Sequence, residues 1–199
     1  MFSGGPWGGW GAIPGPARFQ RLWDQVGARL AGGFPYSEGL YEDVNKLICL
    51  RHQWDDQPAS ETLRAYARAY LGAPAAEAAA QAMELMEQTA GNHLAPPAGA
   101  DAPVYRRHGV GEVHRVAALL DAAERTMLPQ ARQAWRWRVL RLRGDLDVEI
   151  EATGGRPSAR TDALFGELEE IYAARRADFW VAPPTRQRLA RQGYPVHTD

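Results

Sequence analysis

The segment Pro35-Tyr36-Ser37-Glu38-Gly39-Leu40-Tyr41-Glu42-Asp43-Val44-Asn45-Lys46 is the densest collection of polar and aromatic groups in the chain. A carboxylate such as Glu38 can act as a general acid or base, or hold a sugar hydroxyl, and Tyr36 adds a hydrogen bond or an aromatic face. The same acids, Glu38, Glu42 and Asp43, equally suit the first turn of a helix, where the dipole favours negative charge. A second group is Trp7 and Trp10, carried among Gly4, Gly5, Gly8, Gly9 and Gly11. Indoles on such a loop suit stacking on the apolar face of a pyranose or another flat ligand, or simply covering the edge of a core. Gly9-Trp10-Gly11 is neither a dinucleotide fingerprint nor a P-loop.

Other signals are weaker. His108 and His114 flank HGVGEVH, which is not HExxH and has no third ligand, so no metal is expected. The run WRWRVLRLR at 135–143 interleaves Trp and Arg as a nucleic-acid surface would, but the acids that follow cancel the field. Cys49 is a lone thiol on the apolar side of its helix, expected in the core, and no disulfide can form within the chain. No Ser/His/Asp or Cys/His arrangement can be assembled, and no cofactor motif is present.

Helices must position these groups. Ala appears 34 times, and Arg supplies 22 of the 23 basic residues; both are strong helix formers. After a Gly/Pro-rich loop over 1–16, Phe19, Leu22, Trp23, Val26 and Leu30 form an apolar stripe on a helix of about residues 17–30. A short extended segment, residues 33–39, leads to a second stripe of Leu40, Val44, Leu47 and Ile48. This order fits the last β/α units of a parallel fold, with Tyr36–Lys46 at a strand-to-helix turn, and it fits a helical hairpin with a kinked connector. Beyond residue 58 the reading is nearly all helix. Ser60 is read as a cap, and Pro74 opens an Ala-rich helix. A loop spans 95–109, and Val110–Met127 marks another helix.

Residues 135–151 alternate apolar and charged side chains around Gly144-Asp145, the mark of a β-hairpin. Pro129 in front and Gly154-Gly155 behind punctuate instead one helix of about 25 residues, with Gly144 as its soft point. The helix is the preferred reading. A last amphipathic helix carries Leu164, Leu168, Ile171, Tyr172 and Phe179 up to Pro183-Pro184.

A length of 199 residues and a net charge of −1 suit one domain, or one plus a fragment, and argue against a general polyanion binder. No apolar run approaches a membrane span of about 20 residues. Met1-Phe2-Ser3-Gly4-Gly5 lacks the basic and apolar regions of a signal peptide, so the chain as it stands reads as cytoplasmic.

The run GPWGGWGAIPGPARFQRLWDQV…GGFPYSEGLYEDVNKLICLRHQW resembles the C-terminal end of the catalytic barrel in large bacterial glycoside-hydrolase-like proteins, broadly similar to family-20-type hexosaminidases. WRWRVLRLR…EIYAARRADFWVAPPT resembles the α-helical domain that follows it. The resemblance spans roughly residues 4–189. It implies that Tyr36, Ser37 and Glu38 stand at the rim of a sugar site, after the eighth strand. Trp7 and Trp10 would lie on the loop after the seventh, and Asp43 would join the substrate-binding residues. It also implies a helix at 135–151. The middle strands that usually carry the acid/base pair are not in this sequence, and glycoside hydrolysis generally needs two carboxylates about 5–9.5 Å apart.

The expected architecture is therefore mainly α, a helical bundle-like domain over 55–199 preceded by one or two β/α units of a truncated barrel within 1–54. The expected function is a C-terminal portion of a glycoside-hydrolase-like protein, glycosidase-competent only when completed by the rest of a barrel. A carbohydrate is the expected ligand, with neither nucleic acid nor membrane as partner. Association with the remainder of a barrel, or self-association, would run through an apolar face. The alternative is a self-contained, non-catalytic helical interaction module.

Overall fold

A computed structural model describes residues 11–33, 40–89, 93–94, 105–106 and 112–175. Trp7, Trp10, Tyr36, Ser37, Glu38 and Phe179, and most of the expected loop at 95–109, lie outside the described residues. The protein is mainly helical. Its helices are α1 (Pro16–Val26), α2 (Asp43–Asp55), α3 (Ala59–Leu71), α4 (Ala73–Met86), α5 (Val113–Thr126), α6 (Pro129–Gln133), α7 (Trp135–Ala152) and α8 (Ala159–Arg175).

Helix α4 packs against both α3 and α5. Its alanines make this possible: Ala75, Ala76, Ala79, Ala80 and Ala82 are all buried beside Met83 and Met86, and their small side chains let neighbouring backbones approach closely. Helix α7 packs on α5 and α8, while α1 and α2 lean on α3. One hydrophobic core runs from Ala12, Ile13 and Phe19, through Ile48, Leu63 and Met83, to Leu146, Leu164 and Ile171.

The β/α units expected ahead of the helical domain are not supported. The described residues of 11–54 are helix and loop, and the one strand pairing among the described residues is antiparallel, His93–Leu94 with Tyr105–Arg106. Instead of joining a sheet, residues 11–16 are buried and held by side chains. Arg143 Nη1 donates to the Ala12 carbonyl at 2.7 Å. Asn45 donates to the Ile13 carbonyl at 2.8 Å and accepts from the Gly15 amide at 2.9 Å. A backbone bond from Ile13 N to Tyr41 O accompanies them, and the Gly15 carbonyl accepts from Phe19 N at the start of α1. Gly11 makes the closest approach. Its φ of +85° favours glycine, and a Cβ there would stand 2.8 Å from the Cβ of Arg143.

Residues 135–151 are helical, but the 25-residue helix starting at Pro129 is two helices. Ala134 breaks it, with extended dihedrals of −64° and 137°, while Gly144 lies inside α7. A Cβ at Gly144 would meet the buried Leu120 at 2.4 Å, so glycine serves the α5–α7 contact rather than a bend. Capping also departs from the local reading. Helix α3 starts at Ala59, and the amide of that residue is satisfied by Gln20 of α1 at 2.8 Å, not by Ser60. The first turn of α1 donates Ala17 N and Arg18 N to the Glu87 carboxylate, 2.8 and 2.6 Å away. Tertiary side chains thus satisfy orphan amides that would otherwise take a local cap.

Candidate functional site

Asp43 is the one sequence-predicted site residue within the described part of the chain. It opens α2, where an acid suits the helix dipole. Three elements converge on it. Arg136, in the first turn of α7, donates through Nε to Oδ2 at 2.8 Å and through Nη2 to Oδ1 at 3.3 Å. This is the two-pronged geometry for which guanidinium and carboxylate are matched. Tyr66 of α3 donates its hydroxyl to the same Oδ2 at 2.8 Å.

Aromatic rings enclose the guanidinium. Its central carbon lies 4.2 Å from the Tyr70 ring centroid and 4.3 Å from that of Trp135, within cation–π range of both. Tyr66 and Tyr70 stand one helical turn apart on α3, with ring centroids 4.9 Å apart. Burial opposes the charge on Arg136, but hydrogen bonding and attraction from Asp43 outweigh it and hold the guanidinium pKa above its ordinary value. Burial, followed by the Asp43 charge, pushes the Tyr66 phenol far up. In this setting Asp43 is an acceptor already committed to Arg136 and Tyr66. The arrangement is chemically a clasp joining α2, α3 and α7, with its Tyr70 side open to solvent.

The arginines after Arg136 are committed in the same way. Arg138 reaches Glu167 at 3.8 Å. Arg141 pairs with Asp145 at 2.6 Å and Asp121 at 2.5 Å. Arg143, fully buried, pairs with buried Asp147 at 2.9 Å. The basic-aromatic run thus ties α7 to itself and to α2, α5, α8 and the segment before α1. His114 meets Glu151 at 3.0 Å; His108 lies outside the described residues. Among the described residues no group of three or more His, Cys, Asp or Glu is placed to hold a metal ion. No described helix is long and apolar enough to cross a membrane. Cys49 is half-buried, and its thiol is pushed up to about 11, first by burial and then by Glu42.

A second feature is an apolar edge. Trp54 is 86% exposed, Leu50 54%, Leu22 51% and Leu30 48%. All four belong to α1, the turn after it, or α2. Sequence periodicity put Leu22 and Leu30 on the same stripe as Phe19, yet only Phe19 enters the core. Sequence reading missed Arg136, Tyr66 and Tyr70 as a site. The i,i+4 tyrosines on one amphipathic helix were the available signal. The chain matches no protein-family profile, no curated protein and no solved structure.

Proposed function

We propose that this chain is a non-catalytic helical interaction module that docks on another protein surface through its α1–α2 edge. The observation that carries the reading is the concentration of exposed large apolar side chains there, Trp54 above all. Outside it only Tyr70 and Leu128 are comparably exposed among the described residues. Exposed apolar clusters mark interaction sites, and tryptophan is the residue type most enriched at binding hot spots. The commitment of Asp43 to Arg136 and Tyr66 agrees with a structural rather than a catalytic carboxylate.

A second reading is favoured by the location of that edge. It falls within the stretch that resembles the barrel end of glycoside-hydrolase-like proteins. On this reading the chain is the helical C-terminal region of such a protein and the edge packs on its catalytic barrel. Tyr36, Ser37, Glu38, Trp7, Trp10 and Asp43 would then contribute to the rim of a sugar site.

A photo-crosslinking residue at position 54 in the native host tests both. Docking predicts a discrete adduct that is lost with Leu50→Ser and absent when the probe stands at exposed Ala65. A glycoside-hydrolase-like barrel in the adduct supports the second reading as well. Equal labelling from positions 54 and 65 overturns docking, and hydrolysis of aryl-glycosides by the purified chain overturns the non-catalytic assignment.

A further inference from the structure

The crossing of α1 and α2 contains a titratable group that the docking surface does not use. His52, in the last turn of α2, is 3% exposed, and neither ring nitrogen makes a hydrogen bond among the described residues. Its ring lies flat on the indole of Trp23 from α1, with centroids 5.4 Å apart and 5° between the planes. The indole N–H donates to Asp56, which closes α2 in the left-handed region with φ of +52°. Gly27 leaves room for that indole, since a Cβ there would stand 2.7 Å from the ring.

We propose that the Trp23–His52 stack is a proton-sensitive latch that holds the C-terminal half of α1 on α2 and releases it on acidification. The physical reason is an asymmetry of anchoring. The first half of α1 is fixed independently by Glu87 on its amides and by buried Phe19. The second half depends on Trp23, with further ties from Gly33 N to Gln53 at 2.7 Å. A proton taken from solvent by His52 creates a buried cation, which costs free energy unless it is paired. Asp56 at the end of α2 and Asp24 of α1 are the charged groups that act on the ring, and the Gln57 backbone also favours the charged form. Burial outweighs them, so the imidazole pKa lies below its ordinary 6.5.

The sign follows. A histidine with a lowered folded pKa keeps the closed state fully favoured above about pH 6.5. It loses that contribution as pH falls from there towards the folded pKa, by up to about tenfold in the opening equilibrium per pH unit. Opening frees Trp23 next to Leu22 and enlarges the apolar edge.

Hydrogen exchange of the wild-type chain at pH 7.5, 6.0 and 5.0, corrected for intrinsic rates, is the test, together with an imidazole NMR titration. The expected result is a pH-dependent loss of protection confined to residues 21–33, steady protection over 62–83, and a His52 midpoint below 6.5. His52→Gln removes the pH dependence, and Asp56→Asn moves the midpoint further down. A His52 midpoint at or above 6.5, or protection of residues 21–33 that does not change with pH, overturns the latch. These two wild-type readouts decide the question even if a variant fails to fold.

Discussion

Arg136 and Asp43, 93 positions apart in the chain, meet in a two-pronged ion pair with an Nε–Oδ2 distance of 2.8 Å. The contact brings the starts of α7 and α2 together, and Tyr66 ties α3 to the same carboxylate. Asp43→Ala leaves a partly buried guanidinium and a phenol without their acceptor. The expected cost is about 1–3 kcal/mol in urea unfolding. Asp43→Asn keeps the shape and part of the hydrogen bonding, so it is expected to cost less. An unchanged midpoint for Asp43→Ala would show that the clasp contributes nothing.

The same contact sets an alkaline limit. The Tyr66 phenol is held above its ordinary pKa of 10, so the unfolded chain loses that proton before the folded one does. Stability is therefore expected to fall as pH rises past about 10. Tyr66→Phe should flatten this fall. Unfolding midpoints measured between pH 8 and 11 check it, and a parallel decline in both proteins would argue against Tyr66.

Arg143 and Asp147 form the other high-stakes pair, because both are buried. Asp147→Ala strands a buried cation, with an expected cost of about 3–5 kcal/mol. Replacing both partners, Arg143→Met with Asp147→Leu, should destabilise less than Asp147→Ala alone. Denaturant titration of Asp147→Ala, of Arg143→Met and Asp147→Leu singly, and of the double variant gives the comparison. A double variant worse than the sum of its singles would contradict the desolvation argument.

Trp54 and Leu50 are too exposed to matter to the fold. Trp54→Ser combined with Leu50→Ser is expected to leave stability within about 0.5 kcal/mol, while hydrophobic-dye binding at neutral pH falls. A marked loss of stability would place these side chains in the folding core instead.

Cys49 should be nearly inert. With its thiol pushed up to about 11, only about one molecule in a thousand is thiolate at pH 8. Alkylation followed by mass spectrometry should be slow in the folded protein and should accelerate on denaturation. Equal rates in the two states would exclude a shielded thiol.

How much of this was legible in the sequence depends on whether the controlling interactions are local. The stripe beginning at Phe19 and the Gly154-Gly155 punctuation are local, and they match α1, the end of α7 and the helical class, whereas Pro129 opens α6 rather than α7. The break at Ala134 was invisible, since alanine is the best helix former. It lies immediately before Trp135 and Arg136, where α7 meets a carboxylate 93 residues away. Ser60 looked like a cap, but the amide next to it was taken by Gln20. Asp43 stands out as part of the polar and aromatic segment Pro35–Lys46, whereas its partners Tyr66 and Arg136 lie 23 and 93 residues on. Periodicity marks a residue as apolar; it does not say that a neighbouring helix will cover it, as Leu22 shows.

The burial of Ala12 beside Arg143 has a consequence for how the chain is made. The two are separated by 131 residues. At about 5–20 residues per second, ribosomal synthesis keeps this early segment waiting roughly 7–26 s for the helix that receives it. Until then the guanidinium that will bind its carbonyl does not exist, and Ile13 and Phe19 have only part of their core to bury against. The contact between residues 12 and 143 therefore closes only after α7 has been made, well behind the local packing of α3 on α4.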